Sequence, residues 1–186
     1  GGPMQIGMRF LCGVGALLLA GGGQAAAQAK PTAEIGTSLG VTVLSASGGS
    51  ATHIGIPGDG IQASPTIYLS LFASPAVMVE PQLAFTSLSG GGVTLTSIGI
   101  ALQVGYLFSP SQPGSGYLTA NGAFQTVSTG GGGPSINGPG LGAGLGYRFK
   151  VKNSLAIRAD ARYRRWFSDF DGLNEFGFGL GLGATF

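Results

Sequence analysis

Apolar and small polar residues alternate along most of the chain from Lys30 onward. In Glu34–Val43, for example, every second residue is Ile, Thr, Leu or Val, and the residues between them are mainly Gly, Ser and Thr. A period of two predicts β-strands, and almost no helical period is present. We predict eight strands, over about Glu34–Val43, Thr66–Ala73, Val77–Leu88, Thr94–Phe108, Tyr117–Val127, Leu141–Phe149, Leu155–Arg164 and Glu175–Phe186.

The segments between these strands are rich in Gly, Ser, Pro and Asn, which favour turns and loops. Ser45–Ile61 and Ser128–Asn137 are expected to be long loops, and Ser74–Ala76 a tight turn. Pro81 lies inside a strand and cannot donate a backbone hydrogen bond, so we expect a local bulge there. No linker divides the region, so residues 30–186 are predicted to form one domain.

The N-terminal segment has the pattern of a secretory signal peptide. Met8 and Arg9 form a short positive start, Phe10–Ala20 is apolar, and small residues lead to Ala29. Residues 1–29 are therefore expected to be removed before Lys30. Cys12, the single cysteine, would leave with them. One His and no mature Cys cannot build a metal-ligand cluster, and we expect no cofactor.

Composition narrows the class of protein. Only 9% of residues are charged, 44% are hydrophobic and 37 are Gly. This balance argues against disorder and against an ordinary water-facing surface. A net charge of +2 suggests no nucleic-acid partner. The longest apolar run, Phe10–Ala20, is shorter than the roughly 20 residues of a spanning helix.

The position of the charges indicates which face of each strand meets lipid. With the strands phased by their apolar residues, eight charged residues fall on the glycine-rich face: Glu34, Glu80, Arg148, Arg158, Asp160, Arg162, Arg164 and Glu175. The bulky apolar residues occupy the other face. This arrangement suits lipid outside and a narrow polar lumen within. We therefore predict an all-β, eight-stranded antiparallel up-and-down transmembrane β-barrel.

The lumen of an eight-stranded barrel is just wide enough for side chains. Buried charges must be paired, since an unpaired ion costs several kcal/mol. We expect the eight inward charges to form a network that plugs the lumen, with Glu80, Asp160 and Glu175 nearest the arginines. A gate or narrow channel remains the alternative.

Aromatic residues cluster near the strand ends, as in the two interfacial girdles of membrane barrels. With the N-terminus in the periplasm, one group reaches the inner rim: Tyr106, Phe108, Tyr147, Phe149 and Phe186. A second group reaches the outer rim: Phe85, Tyr163, Phe167 and Phe176. Arg165 is the one strand charge that faces outward. It either contacts a lipopolysaccharide phosphate or extends to solvent.

The signal peptide, the eight alternating strands, the segment YRFKVKNSLAIRADARYRRW and the terminal Phe186 together resemble small outer-membrane β-barrel proteins of the opacity-protein and OmpA type. The resemblance implies Sec export to the bacterial outer membrane, lipid and lipopolysaccharide as partners, and a monomer. It also implies that the last strand is read by the barrel-assembly machinery. Gly181 and Phe186 match that sorting signal, whereas Ala184 stands where an aromatic residue is usual.

The leading functional hypothesis is a structural or interaction protein that anchors short surface loops. A narrow channel, a lipid-modifying enzyme and a soluble secreted β-protein are the alternatives. An enzyme is not expected, because His53, with Ser50, Thr52 and Asp59 nearby, lies in a predicted loop without the rigid base that a nucleophile needs.

Overall fold

The computed structural model describes residues 33–55, 66–130, 133–152 and 154–186. The predicted signal peptide, residues 1–29, lies outside these ranges. The described residues form nine strands: β1 (Ala33–Ala46), β2 (Gly49–Gly55), β3 (Thr66–Ser74), β4 (Val77–Gly90), β5 (Val93–Leu107), β6 (Gly114–Thr129), β7 (Ser135–Lys152), β8 (Leu155–Trp166) and β9 (Asn174–Thr185). A single 3₁₀ turn, Ser168–Phe170, connects β8 and β9. No helix in these ranges is long and apolar enough to cross a membrane.

The strands form one closed antiparallel barrel. From β3 to β9 each strand pairs with the next, and β9 pairs back with β1. On its other side β1 pairs with β3 over Ala33–Thr37 and with β2 over Gly40–Ala46. Because β2 and β3 follow each other along the same side of β1, the nine segments fill eight strand positions. This confirms the predicted eight-stranded up-and-down barrel.

The strands are staggered around the barrel. Ala33 of β1 pairs with a residue of β3, which pairs with a residue of β4, and so on around the barrel. This series of partners returns to β1 at Val43, ten residues beyond its start. Such a stagger is what allows tilted strands to close on themselves. It also decides which distant residues face each other across the lumen.

The two ends of the barrel differ in construction. At the terminal end, the backbones of Ala33 and Phe186 exchange two hydrogen bonds of 2.9 Å. The hairpin end carries the β1–β2, β4–β5 and β6–β7 connections and the 3₁₀ turn. Gly91 and Gly92, which join β4 to β5, have φ of 58° and 79°. Two successive positive φ values are those of a tight type I′ hairpin turn.

Three sequence predictions about connections were wrong. Ser45–Gly55 is mostly strand, because a turn at Ser47 and Gly48 folds the Ser/Thr-rich segment into the β1–β2 hairpin. The connection predicted for Ser128–Asn137 is shorter, since β6 extends to Thr129 and β7 begins at Ser135. At Pro81 the β4–β5 register continues unbroken, and the bulge between β3 and β4 lies instead at Phe72–Ser74.

The barrel has an apolar exterior and a largely polar interior. Leu145 and Leu180 are about 60% exposed, whereas Glu80 and Glu175 are fully buried. The nine aromatic residues predicted to form girdles are all exposed, Phe167 least and Phe186 most. Phe85, Tyr163, Phe167 and Phe176 lie toward the hairpin end and the other five toward the terminal end. Phe124 and Phe178 are also exposed, although the sequence analysis assigned them to neither girdle.

Candidate functional site

The lumen contains a row of polar residues joined by strand pairing. Glu80 stands opposite Gln103, which stands opposite Asn121 on the next strand. The row continues through Gly142 and Arg164 and ends at Glu175. Because partners in register share a face of the sheet, the strand alternation directs the whole row into the lumen.

The Glu80 carboxylate accepts hydrogen bonds from four side chains in the lumen. Arg158 donates from Nη1 to its Oε2 at 2.5 Å and from Nη2 to its Oε1 at 3.0 Å. Ser70 Oγ donates at 2.5 Å, and the side-chain amides of Gln82 and Gln103 donate at 2.7 and 3.4 Å. The Arg158 side chain is 7% exposed and that of Glu80 is 0% exposed. This bidentate pair joins β4 to β8 directly across the lumen.

A second ion pair lies closer to the terminal end. Arg148 donates from Nε at 2.8 Å and from Nη2 at 2.6 Å to Oε2 of Glu34. Tyr68 donates its hydroxyl to the other oxygen of Glu34 at 3.3 Å. The guanidinium of Arg158 lies 3.6 Å from the centre of the Tyr68 ring. Tyr68 therefore links the two ion pairs through a hydrogen bond and a cation–π contact.

A third cluster surrounds Glu175 near the hairpin end. Its carboxylate accepts from Trp166 Nε1 at 2.8 Å, from Arg162 Nε at 3.1 Å and from Arg164 Nη1 at 3.4 Å. Arg164 also donates from Nε to Asn121 Oδ1 at 3.0 Å. The Glu175 carboxylate thus accepts hydrogen bonds from two guanidinium groups and from an indole.

The sequence analysis expected Glu80, Asp160 and Glu175 to lie nearest the arginines. Glu80 and Glu175 bind Arg158 and Arg162 directly. Asp160 lies 3.7 Å from Arg158 Nε and accepts from Tyr117 at 3.4 Å. The pairing of Glu34 with Arg148 was not anticipated, because the stagger that aligns these two residues is not visible in either strand alone.

A buried apolar cluster lies toward each end of the lumen among the described residues, and the sequence analysis did not predict either cluster. Toward the terminal end Met78, Leu107 and Tyr117 are buried together. Toward the hairpin end the buried cluster contains Leu44, Val127, Trp166 and Phe170. The rings of Trp166 and Phe170 meet edge to face at 5.8 Å. Large apolar residues at lumen-facing positions near strand ends were the available sequence signal.

Little space remains between these side chains. A cavity of about 20 Å³ lies beside Gln82, Gln125 and Arg164, which is room for about one water molecule. The described residues contain no group of three or more His, Cys, Asp or Glu that could hold a metal ion. In the part of the chain that the structure describes, the side chains of the ion-pair clusters and of the two apolar clusters occupy the lumen.

Glycines on β9 make room for the long side chains of β8. A Cβ atom placed on Gly181 would lie 2.7 Å from Arg158 Cγ, and one on Gly177 would lie 2.8 Å from Arg162 Cζ. Gly179 faces Asp160 in the same way. Gly181, which the sequence analysis assigned to the assembly signal, lies in the lumen where a larger residue would clash with Arg158. Phe186, the other residue of that signal, is 71% exposed at the terminal end.

Arg165 lies on the outer surface at the hairpin end. It donates to Asn174 Oδ1 at 3.3 Å and to Asp171 Oδ1 at 3.4 Å. Tyr163 donates to the same Asn174 oxygen at 2.7 Å. The backbone of His53 pairs with Thr42 in the β1–β2 hairpin. The His53 side chain and the whole of Asp59 lie outside the described residues.

Comparisons with known proteins agree with this architecture. The sequence pattern of the family described as "Outer membrane protein beta-barrel domain" matches residues 13–186. Neisserial surface protein A has a similar structure, with a TM-score of 0.62 and 18% identity over 84% of this chain and 100% of that one. Ail, the attachment invasion locus protein of Yersinia pestis, gives a TM-score of 0.52 and 16% identity over 84% and 99% of the two chains.

The N-terminal β-barrel domain of OprF from Pseudomonas aeruginosa is similar as well. Its TM-score is 0.52 at 16% identity, over 86% of this chain and 100% of that one. No curated protein matches the chain at a significant level. At these identities the structural similarity concerns the fold.

Proposed function

Because the chain belongs to the family of outer-membrane β-barrel proteins, we propose that it acts as a closed, non-conducting anchor for its hairpin-end surface. In this role the barrel supplies a rigid support in the membrane, and the hairpins carry the interactions. The proposal assigns the protein no catalytic step.

The bidentate Arg158–Glu80 pair is the observation that carries this proposal. It spans the lumen from β8 to β4, is fully enclosed, and is held by three further donors to Glu80. Opening a path for solutes would separate these charges in a site of low polarity, where an unpaired buried ion costs several kcal/mol. The apolar clusters at both ends raise the cost further, because water would have to enter them.

Planar-bilayer recording of the purified barrel tests the proposal. We expect no stable single-channel steps at moderate voltage. A double variant, Glu80→Ala with Arg158→Ala, removes both side chains of the central pair. It serves as the comparison in which the middle of the lumen is no longer occupied by this pair. Large and stable steps from the unmodified protein would show that the lumen conducts, and the anchor proposal would then be wrong.

We further propose that the hairpin end faces the cell exterior and that the terminal end faces the periplasm. This orientation brings Arg165 to the outer leaflet, where a guanidinium can bind a phosphate of lipopolysaccharide with two hydrogen bonds. Its contact with Asp171 is exposed and is therefore weak enough to be exchanged for a phosphate.

Binding of lipopolysaccharide by variants of the reconstituted barrel tests this contact. Arg165→Ala is expected to weaken binding, and Arg165→Lys to restore part of it. Lys150→Ala, which removes an exposed charge near the terminal end, is the control and should leave binding unchanged. Equal affinity for the Arg165→Ala variant and the unmodified protein would exclude the contact.

Assembly and oligomeric state complete the proposal. The barrel-assembly machinery is expected to read the last strand, and the exposed Phe186 is the side chain best placed for that contact. Phe186→Ala should slow insertion into the outer membrane without lowering the stability of the folded barrel. The folded protein is proposed to be a monomer, which sedimentation in detergent measures directly.

A further inference from the structure

The last strand, β9, repeats itself with a period of two residues. Its lumen-facing residues between Glu175 and Thr185 are all glycines: Gly177, Gly179, Gly181 and Gly183. Its lipid-facing residues over the same length are all apolar: Phe176, Phe178, Leu180, Leu182 and Ala184. Gly-rich strands specify their register weakly, because a slide by two residues returns every side chain to the same face. Within this segment the amino-acid pattern does not define which residue of β9 pairs with which residue of β8.

A slide of β9 by two residues toward the terminal end is a register that these glycines allow. It would move the strand by about 7 Å and place Gly179 opposite Arg158, where Gly181 now lies. Each of the other glycine sites except the first would again receive a glycine. The connection between β8 and β9 would shorten from Phe167–Leu173 to Phe167–Phe170, which is still a common length for a hairpin loop.

The opposite slide, toward the hairpin end, is blocked by Thr185. It would bring Thr185 to the place of Gly183, where an added Cβ atom would overlap the carboxylate of Glu34. Arg148 holds that carboxylate with two hydrogen bonds, so the carboxylate cannot move aside without breaking a buried ion pair. The slide toward the terminal end is therefore the one that another residue has to prevent.

Glu175 opposes this slide in two ways. In the present register it stands opposite Arg164, and its carboxylate accepts hydrogen bonds from Trp166, Arg162 and Arg164, which a movement of about 7 Å would break. In the shifted register it would occupy the place of Gly177, where an added Cβ atom would lie 2.8 Å from Arg162 Cζ. The backbone hydrogen bonds, in contrast, can re-form after a slide by two residues, because the ladder of an antiparallel pair repeats at that spacing.

We propose that Glu175 determines the register of β9 in the closed barrel. Backbone pairing, the lipid-facing pattern and the glycine packing admit a second register, and this one carboxylate selects the register in which it binds Arg162 and Arg164. Buried polar groups fix register in the same way in coiled coils, where a single polar side chain aligns two otherwise repetitive helices. Glu175 is in this sense a positioning residue, and its effect extends over the whole of the last strand.

This inference does not depend on the anchor role proposed above. A barrel that conducts ions but keeps β9 in its register through Glu175 would refute the anchor and leave the register proposal intact. A closed barrel whose β9 register is indifferent to Glu175 would do the reverse.

Disulfide cross-linking between β8 and β9 reports the register. The lumen-facing pairs of these strands are hydrogen-bonded, so the lipid-facing pairs are the closer, non-hydrogen-bonded type. Ala159→Cys with Leu180→Cys, the native pair, joins residues that are opposite now. Ala159→Cys with Phe178→Cys, the shifted pair, joins residues that become opposite only after the slide, because diagonal neighbours are too far apart for an unstrained disulfide.

The measurement is the fraction of each pair that oxidises in lipid vesicles. A Cys12→Ser background removes the single native cysteine. Thiol labelling after unfolding then gives the ratio of shifted to native cross-links. The unmodified β9 sequence is expected to form the native cross-link.

Moving the carboxylate by two residues is the decisive change. Leu173→Glu with Glu175→Gly places a carboxylate opposite Arg164 and a glycine opposite Arg162 only in the shifted register. The ratio of shifted to native cross-links should rise at least roughly tenfold over that of the unmodified sequence. Leu173→Gln with Glu175→Gly is the matched control, equal in side-chain length but uncharged, and should give a lower ratio. Glu175→Gly alone should give both cross-links.

A further control separates register from stability. Glu80→Gln removes a buried carboxylate from another strand and should form the native cross-link, although it destabilises the barrel. Heat-modifiable gel migration checks that each variant folds. The proposal is overturned if Glu175→Gly and the moved carboxylate both keep the native cross-link. It is equally overturned if the Gln control shifts as far as the Glu variant, or folds where the Glu variant does not, or if Glu80→Gln shifts β9 as well.

Discussion

Replacing Glu80 with Gln gives the most direct measure of the lumen network. The substitution preserves shape but removes the charge that neutralises Arg158. Both carboxylate oxygens of Glu80 accept hydrogen bonds from Arg158. In the Gln variant one of these oxygens becomes an NH₂ group, so that in either orientation of the amide a donor faces a guanidinium donor. Removing one partner of a buried ion pair costs about 3–5 kcal/mol. We expect a loss of that size in the free energy of unfolding.

Urea unfolding in lipid vesicles, followed by fluorescence of the single tryptophan, measures this loss. Asp171→Asn breaks an exposed ion pair and should change stability by less than about 1 kcal/mol. In an Arg158→Met background the further change of Glu80→Gln should cost much less, since no unpaired guanidinium remains. A loss below about 1 kcal/mol for Glu80→Gln alone, or additive effects in the double variant, would refute the view that this pair is enclosed and tightly coupled.

Three further predictions use the same unfolding assay. Gly181→Ala should lower the free energy of unfolding by about 1–3 kcal/mol, because the added methyl group meets Arg158. Gly99→Ala is the control and should have little effect, because its added methyl group makes only ordinary van der Waals contacts. Equal effects of the two substitutions would contradict the packing argument. Phe170→Ala should cost about 3 kcal/mol by removing a ring from the hairpin-end cluster and should shift tryptophan emission to the red, so unchanged emission would speak against the contact. Arg148→Lys keeps the charge but loses the two-nitrogen contact with Glu34 and should still destabilise the barrel.

The alternation of residues predicted the architecture well because a strand has a period of two. Once the apolar face of a strand is assigned to lipid, the position of each charged residue in the sequence decides whether it faces the lipid or the lumen. Arg158 and Glu80 therefore belong to the lumen side from their parity alone. The same reasoning placed Arg165 on the outer surface.

Pairing across the lumen could not be predicted in this way. Which arginine meets which carboxylate depends on the stagger accumulated over all the strand pairs, and a shift of two residues in one pair would leave every parity unchanged. Arg148 and Glu34 are 114 residues apart in the chain. Their contact is a consequence of the closed register rather than of any local pattern.

The β1–β2 hairpin was missed for a different physical reason. Its sequence is rich in Ser, Thr, Gly and Ala, which is a composition shared by loops and by exposed strands. With weak hydrophobic contrast, alternation carries little information, and backbone pairing with β1 decides the conformation. The apolar clusters were missed because the inward positions had been read mainly as polar residues and glycines.

The inward-facing glycines of β9 have a consequence for protein engineering. Between Glu175 and Thr185, the inward-facing residues of this strand are glycines, so the space beside Gly177–Gly181 is occupied by side chains of the neighbouring strand β8. Shortening a few inward side chains of β8 would therefore open a space in the lumen that is lined by the glycine backbone of β9. A designer seeking a narrow conduit of defined bore could therefore change β8 together with the carboxylates of Glu80 and Glu175 that its arginines bind.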